Sequence, residues 1–202
     1  MGFYGDHVLP RVLNVAMANR EYANIRQRVA STLSGEVLEV GFGSGLNVPF
    51  YPAQVRRVVA VDPATVGQTL ARSRLAASPV RVEFFAGDMS LLADESIDHV
   101  LVTWTLCTIV DVEGALAQMY RVVRRGGQLH FVEHGRSPEP GVARWQDRLN
   151  PLQRAWAGGC NLNRRIDSLV VAAGFELATL DNFYAQGLRP MEYMYEGVGT
   201  KA

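Results

Sequence analysis

The 202-residue sequence contains two cysteines, Cys107 and Cys160, one lysine, Lys201, and no excess of either charge, since 20 basic residues balance 20 acidic ones. Without net positive charge there is no broad field of the kind that holds nucleic acid nonspecifically, so DNA and RNA are not expected partners. So few cysteines in a chain with no secretory pattern point to reduced thiols rather than a disulfide framework. Two cysteines 53 residues apart with no paired histidines also make no recognisable ligand set, and no metal is expected. No apolar run approaches the roughly 20 residues that span a bilayer, and no compact apolar segment with a cleavage site opens the chain. The expected location is the cytoplasm. Repeats, low-complexity tracts and interdomain linkers are absent too, and 48% hydrophobic residues suffice for one domain over residues 1–202.

What is present begins with helical spacing. Two amphipathic pieces, about Leu9–Ala18 and Glu21–Leu33, form an N-terminal helical cap within residues 1–34. Short β-branched or aromatic runs follow at Glu36–Val40, Arg57–Val61, Val80–Phe85, His99–Trp104 and Gln128–Glu133, separated by helical or loop segments. Such alternation predicts an α/β fold with a parallel sheet covered on both faces. A crossover helix is expected from Val112 to Val123, capped by Asp111 and ended by Gly126 or Gly127. Another is expected from Arg164 to Ala173, with Asn163 as its cap and Gly174 beyond its end. Two last strands, Phe175–Phe183 and Met191–Thr200, form an antiparallel edge pair. Residues 137–161 make a lid-like insertion in which Trp145, Leu149, Leu152 and Trp156 recur at helical spacing among Arg144, Arg148 and Arg154. That stripe suits an apolar lid, an interfacial helix touching lipid, or packing on the core.

The densest chemical signal is Leu38-Glu39-Val40-Gly41-Phe42-Gly43-Ser44-Gly45-Leu46-Asn47, a carboxylate followed by three alternating glycines where a β run ends. Bare glycines let backbone amides approach a ligand, and Glu39 can serve a cationic group or brace the turn. The pattern suits S-adenosylmethionine, whereas a dinucleotide pyrophosphate gains nothing from that acid. Tight strand-to-helix packing is the plainer explanation of the glycines. Asp62, 21 residues after Gly41, ends the next strand where a carboxylate accepts both ribose hydroxyls; with Pro63 behind it, it also suits a helix cap. Asp88 and Met89 end the third strand, suited to an adenine amino group and ring or to an ordinary turn. Thr103 and Thr105 close the fourth strand and can offer carbonyls to an ammonium.

In order, spacing and type these pieces resemble the class I S-adenosylmethionine-dependent methyltransferases. The runs LEVGFGSGLNVPFYP, VAVDPA, TLCTIVD, RVVRRGGQLHFVEH and GCNLNR are similar to those of the methyltransferase-like seven group, which is linked to thiol S-methylation, and of its bacterial relatives. That group begins with a hydrophobic membrane-anchoring segment where this chain has MGFYGDHVLPRVLN. The resemblance implies a Rossmann-like, seven-stranded, mostly parallel sheet with helices on both faces and an antiparallel edge strand. It implies S-adenosylmethionine as cofactor and S-adenosylhomocysteine as product. Glu39, Gly41, Gly43 and Gly45 then line the methionine part, Asn47 its carboxylate, Asp62 with Pro63 the ribose, Asp88 and Met89 the adenine, and Thr103 the amino group.

Methyl transfer is an in-line displacement at an activated carbon, so positioning and exclusion of water supply most of the rate. A hydrophobic small-molecule thiol is the first expectation for the acceptor, and a phospholipid amine or a quinone or phenol the alternative; peripheral membrane contact fits either. His134, after the fifth strand, is the expected proton acceptor or orienting group, unless it is tied to a loop carbonyl. His7 stands as a cover over the cofactor or a surface residue, Phe3 and Tyr4 as a pocket closure or a loose terminus. His99 and His130 are expected to pack within strands or meet solvent. Cys107 and Cys160 are expected to be small buried thiols, and Arg164 and Arg165 solvated cations or partners of an acidic substrate. A nicotinamide oxidoreductase is disfavoured because Leu46 stands where its third glycine belongs; a silent cofactor-binding module remains the third class.

Overall fold

The computed structural model describes residues 8–63, 65–85 and 88–202, so the expectations for Phe3, Tyr4 and His7 lie outside the described residues. Seven strands form one sheet: β1 Gly35–Val40, β2 Val55–Val61, β3 Arg81–Phe84, β4 Ile97–Thr103, β5 Val123–His134, β6 Glu176–Tyr184 and β7 Tyr193–Thr200. Their spatial order is β3-β2-β1-β4-β5-β7-β6. All neighbouring pairs are parallel except those of β7 with β5 and with β6. The last two strands are therefore an antiparallel edge pair, and within it β7, one place in from the edge, is the reversed strand.

The central strands read as continuous apolar runs because both faces are covered. In β1, Val37 and Leu38 are fully inaccessible on opposite faces. Leu38, Val100 and Phe131 pack with Leu116 and Met119 of α4 (Val112–Val122) and with Ile166 and Val170 of α6 (Ile166–Ala172). On the other face Val37, Val58 and Leu101 meet Tyr22, Ile25 and Val29 of α2 (Arg20–Ala30) and Ala71 of α3 (Thr65–Ala77). Each such side chain taken from water stabilises the fold by about 1.5–3 kcal/mol. Preceding them, α1 (Leu9–Ala16) leaves Val12 and Val15 exposed.

Asp111 caps α4 as expected, accepting from the Gly114 amide. The expected glycine stop does not occur: Val123 turns directly into β5. Gly126, with φ +74°, instead lies where the β4–β5 register slips between Ile97 and His99, and it lets the longer strand bulge. Nor does Asn163 cap α6, because its amide donates to Asp147 Oδ1 at 2.9 Å and no side chain caps that helix. The insertion is mostly one helix, α5 (Pro140–Trp156), with Pro140 in its first turn. It docks through a polar peg: buried Gln146 accepts from the Ser137 amide and donates to the Gly135 carbonyl. Trp145 (54% exposed), Leu152 (58%) and Trp156 (63%) face outward, which overturns the core-packed reading of that stripe. Among the described residues no helix is long and apolar enough to cross a membrane.

The strand order places function. From β1 the chain winds outward to β3, then crosses back to lay β4 on the other side of β1, so the segments leaving the carboxyl ends of these paired strands run to opposite faces of the sheet, and the crevice where ligands of such folds bind lies between them.

Candidate active site

The glycine turn leaves β1 at this crevice. Gly41, Gly43 and Gly45 all have positive φ, a conformation costly for any residue with a Cβ. At Gly41 a Cβ would also stand 2.0 Å from Thr105 Oγ1, whereas at Gly43 it would meet nothing nearer than the Gly41 carbonyl at 4.0 Å. Gly41 is thus fixed by packing, and Gly43 presents an open edge. Asp62 Oδ2 accepts from the Gly43 amide at 2.7 Å, and Arg74 of α3 donates to the Ser44 carbonyl at 3.0 Å. Gly67 belongs to the same device, since a Cβ there would lie 2.2 Å from the Gly43 oxygen. The turn is gripped from both sides.

Beneath it, Glu39 is buried and accepts from Asn47 Nδ2 at 2.8 Å and from the Tyr51 hydroxyl. Burial raises its pKa to about 7, against the bonds from Tyr51 and Asn47 and the charge of Arg26. Asn47 also donates to Thr103 Oγ1 at 3.0 Å, which ties the end of β1 to the end of β4. Its own carbonyl oxygen, Oδ1, is buried without a hydrogen-bond partner among the described residues. Just past the end of β4, Trp104 has φ +50° and a buried indole N–H that also lacks a partner there. The strained backbone and orphaned buried donor at a switch point make Trp104 a candidate functional residue. Arg26 lies over its ring at 4.6 Å and, pushed down to about 10 by burial, sends one nitrogen to the Met17 carbonyl.

A methyltransferase domain model matches residues 38–131, which hold all of these strand ends. Over 197 residues the chain is 30% identical to the human (Homo sapiens) thiol S-methyltransferase TMT1A, covering 91% of this chain and 80% of that protein. The chain belongs to the class I S-adenosylmethionine-dependent methyltransferases. A phosphatidylethanolamine N-methyltransferase from Cereibacter sphaeroides is 31% identical over 119 residues, 54% of this chain and 57% of its own. Among solved structures, the N-methyltransferase NodS from Bradyrhizobium japonicum, in complex with S-adenosyl-L-homocysteine, shares the fold with a TM-score of 0.70. Its identity is 17%, over 98% of this chain and 94% of that one. The residues at the crevice fit the family's cofactor: an open edge at Gly43, the buried acid Glu39 and the unpartnered buried acceptor on Asn47 suit a ligand that brings donors.

The remaining sequence-predicted residues divide. Asp88 is exposed and caps the short turn Met89–Leu91 by accepting from the Ser90 amide at 2.8 Å; those Ser90 bonds hold its pKa below the ordinary carboxylate range. Met89 is half-buried against the core, its carbonyl taken by Arg121, and Pro63 lies exposed in the bend after β2. Arg164 is not a free cation: it donates to the Leu106 carbonyl, and Arg165 pairs with Asp167 at 3.1 Å. Rather than meeting solvent, His99 Nδ1 and His130 Nε2 hydrogen-bond at 3.0 Å.

Three residues that the spacing kept apart meet at the carboxyl edge of the sheet. Cys160 Sγ is 3.5 Å from Cys107 Sγ and 3.7 Å from His134 Nδ1. Bonds from Cys107 and His134 draw the Cys160 pKa down to about 5, while that contact and burial push the Cys107 thiol up. Burial disfavours a charged His134, but the hydrogen bond and charge of Cys160, with Glu192 and Glu133, prevail and raise its pKa. Glu133, fully buried, organises the neighbourhood by accepting from the amides of Thr105, Leu106 and Cys107. Tyr51, Arg26, Trp104 and Glu133 went unassigned in the sequence because each acts through a partner distant along the chain; only the Trp at a strand end was a usable signal.

Proposed function

We propose that this methyltransferase transfers a methyl group to a small hydrophobic thiol. The fold and family carry the methyl transfer; the thiol rests on the 30% identity to TMT1A across nine-tenths of the chain. Bound S-adenosylmethionine supplies a methyl carbon already activated on a sulfonium. For its binding, the carrying observation is the Glu39–Asn47–Thr103 chain of hydrogen bonds across the β1–β4 crevice. The Asn47 amide nitrogen is taken up by Glu39 and Thr103, so Asn47 turns its Oδ1, with the Glu39 carboxylate beneath it, to the ammonium end rather than serving the carboxylate the resemblance implies, and Thr103 acts through Asn47. Gly43 and Gly45 edge the methionine part, Asp62 takes the ribose, and Asp88 and Met89 flank the adenine. Asp62 does this while holding the Gly43 amide, so the turn and the sugar share one carboxylate.

The acceptor needs little chemical help. A thiol of pKa about 8.5 is already a few per cent thiolate at neutral pH, and water exclusion and alignment do the rest. His134 orients it. Because Nδ1 faces Cys160, the Nε2 side serves the acceptor. An apolar groove of about 440 Å³ lined by Leu149, Leu152, Gln153, Trp156 and Met191 offers a hydrophobic acceptor a place.

Incubation with methyl-labelled cofactor and a panel of alkyl and aryl thiols, phosphatidylethanolamine and quinols, read by product mass spectrometry, tests the reading. Label on thiol sulfur is expected. Label only on an amine or a ring oxygen or carbon would replace the thiol with the second class of acceptor.

A further inference from the structure

Methyl transfer gives no role to the two thiols, Cys107 and Cys160, that converge on the Nδ1 side of His134 at the carboxyl edge of the sheet. The three side chains come from three separate segments, the turn after β4, the end of β5 and the loop after α5, and their donor atoms all lie within 4.8 Å of one another. A tetrahedral ion with metal–sulfur bonds of about 2.3 Å and metal–nitrogen bonds of about 2.0–2.1 Å sets its sulfurs about 3.8 Å apart and sulfur to nitrogen about 3.6 Å. The observed 3.5 Å and 3.7 Å are close to both.

The backbone holds these donors in place independently of any ion. The Asn161 amide and its side-chain nitrogen both donate to the Cys107 carbonyl, each at 2.8 Å, so the loop bearing Cys160 is clipped to the turn bearing Cys107. Gly158 and Gly159, at φ +63° and +91°, make the reversal that delivers Cys160. Glu133 fixes the Cys107 amide from behind at 3.0 Å, the kind of outer support that ligand residues of metal sites receive. The set is soft and borderline in character, two sulfurs and one imidazole nitrogen, which selects thiophilic ions over magnesium or calcium.

We propose that Cys107, His134 and Cys160 bind a thiophilic divalent cation of the Zn²⁺ class, through both sulfurs and the imidazole Nδ1. Three protein donors leave one position of a tetrahedral ion for a water or an incoming donor. The ion ties the turn after β4, the end of β5 and the loop after α5 into one unit. The site stands whatever the methyl acceptor is.

The test is titration of the full chain, purified in reductant and stripped by chelator, with Co²⁺, whose absorption reports ligand type and geometry. Stoichiometric uptake is expected, with thiolate-to-metal charge transfer, tetrahedral bands and displacement by Zn²⁺. Loss of an outer support alone weakens metal sites by about 10–100-fold, so Cys107→Ser, Cys160→Ser and His134→Gln should each weaken uptake by at least about tenfold. Should a variant fail to fold, alkylation of the wild-type chain in mild denaturant still decides: Zn²⁺ is expected to protect both cysteines. No uptake by reduced protein, an oxygen-ligated spectrum, uptake unchanged in folded variants, absence of protection, or a Cys107–Cys160 disulfide persisting in reductant would each overturn the site.

Discussion

Asp62 accepts a hydrogen bond from the Gly43 amide at 2.7 Å, so the acid at the end of β2 holds the turn at the end of β1. A strand-end carboxylate with two oxygens can brace a loop and receive a sugar hydroxyl together. Replacing Asp62 by alanine removes both roles. Calorimetry is expected to show cofactor binding weakened by about 1.5–3 kcal/mol, the scale of hydrogen bonds to a charged group. Unchanged affinity would remove Asp62 from the ribose.

Gly41 and Gly43 separate packing from ligand contact. Gly41→Ala places a methyl 2.0 Å from Thr105 Oγ1 as well as straining φ, and a large loss of melting temperature is expected. Gly43→Ala meets no neighbour, so its fold should lose only the conformational strain of about 1–3 kcal/mol while cofactor affinity falls. Equal melting temperatures for the two variants would contradict the assignment.

The buried Glu39 makes stability and binding depend on pH in opposite directions. Its carboxyl titrates near 4.5 when exposed and near 7 in the fold, because burial favours the protonated form. Across that window the unfolded chain releases a proton that the folded chain keeps. Its contribution to the stability of the free protein is full below pH 4.5 and declines up to pH 7, with a slope of at most about 1.4 kcal/mol per pH unit. A cationic ligand end favours the ionised form, so affinity should strengthen as pH rises through 7, with protons released on binding. Calorimetry in buffers of different ionisation enthalpy measures that release, and Glu39→Gln should abolish it.

His130 acts at the other end of the scale. Burial first, and then His99, lowers its pKa from 6.5 to about 4. The unfolded chain therefore takes a proton near pH 6.5 that the folded chain refuses until about pH 4. Stability from this group is complete above 6.5 and lost as pH falls through that range. Urea melts of His130→Gln against wild type, at several pH values, should show a shallower acid slope in the variant, and parallel slopes would refute the assignment.

For His134→Gln, turnover is expected to fall with cofactor affinity retained, since the side chain lies at the end of β5 and outside the β1–β4 crevice. Single-turnover rates beside calorimetric affinities check it. A rate equal to wild type would deny His134 any part in orienting the acceptor.

Local residue order was enough for the strands, the glycine turn and the acids at the strand ends, because alternation, bare backbone and a carboxylate two residues upstream are relations between near neighbours. It misjudged elements whose ends depend on a partner elsewhere. Asn163 looks like a cap until Asp147 on α5 claims its amide, and Gly126 looks like a helix stop until the β4–β5 register requires a bulge.

The sequence by itself determined the fold class, the family and the first half of the crevice, since hydrophobic period and glycine conformation act within a few residues. Only the tertiary structure decided that Asn47 bridges Glu39 to Thr103, that Trp104 is forced into a left-handed backbone, and that Cys107, His134 and Cys160 share one spot. The physical reason is strand order. Laying β4 and β5 beyond β1 gathers at one sheet edge loops that lie far apart along the chain, and no local pattern encodes which loops those are.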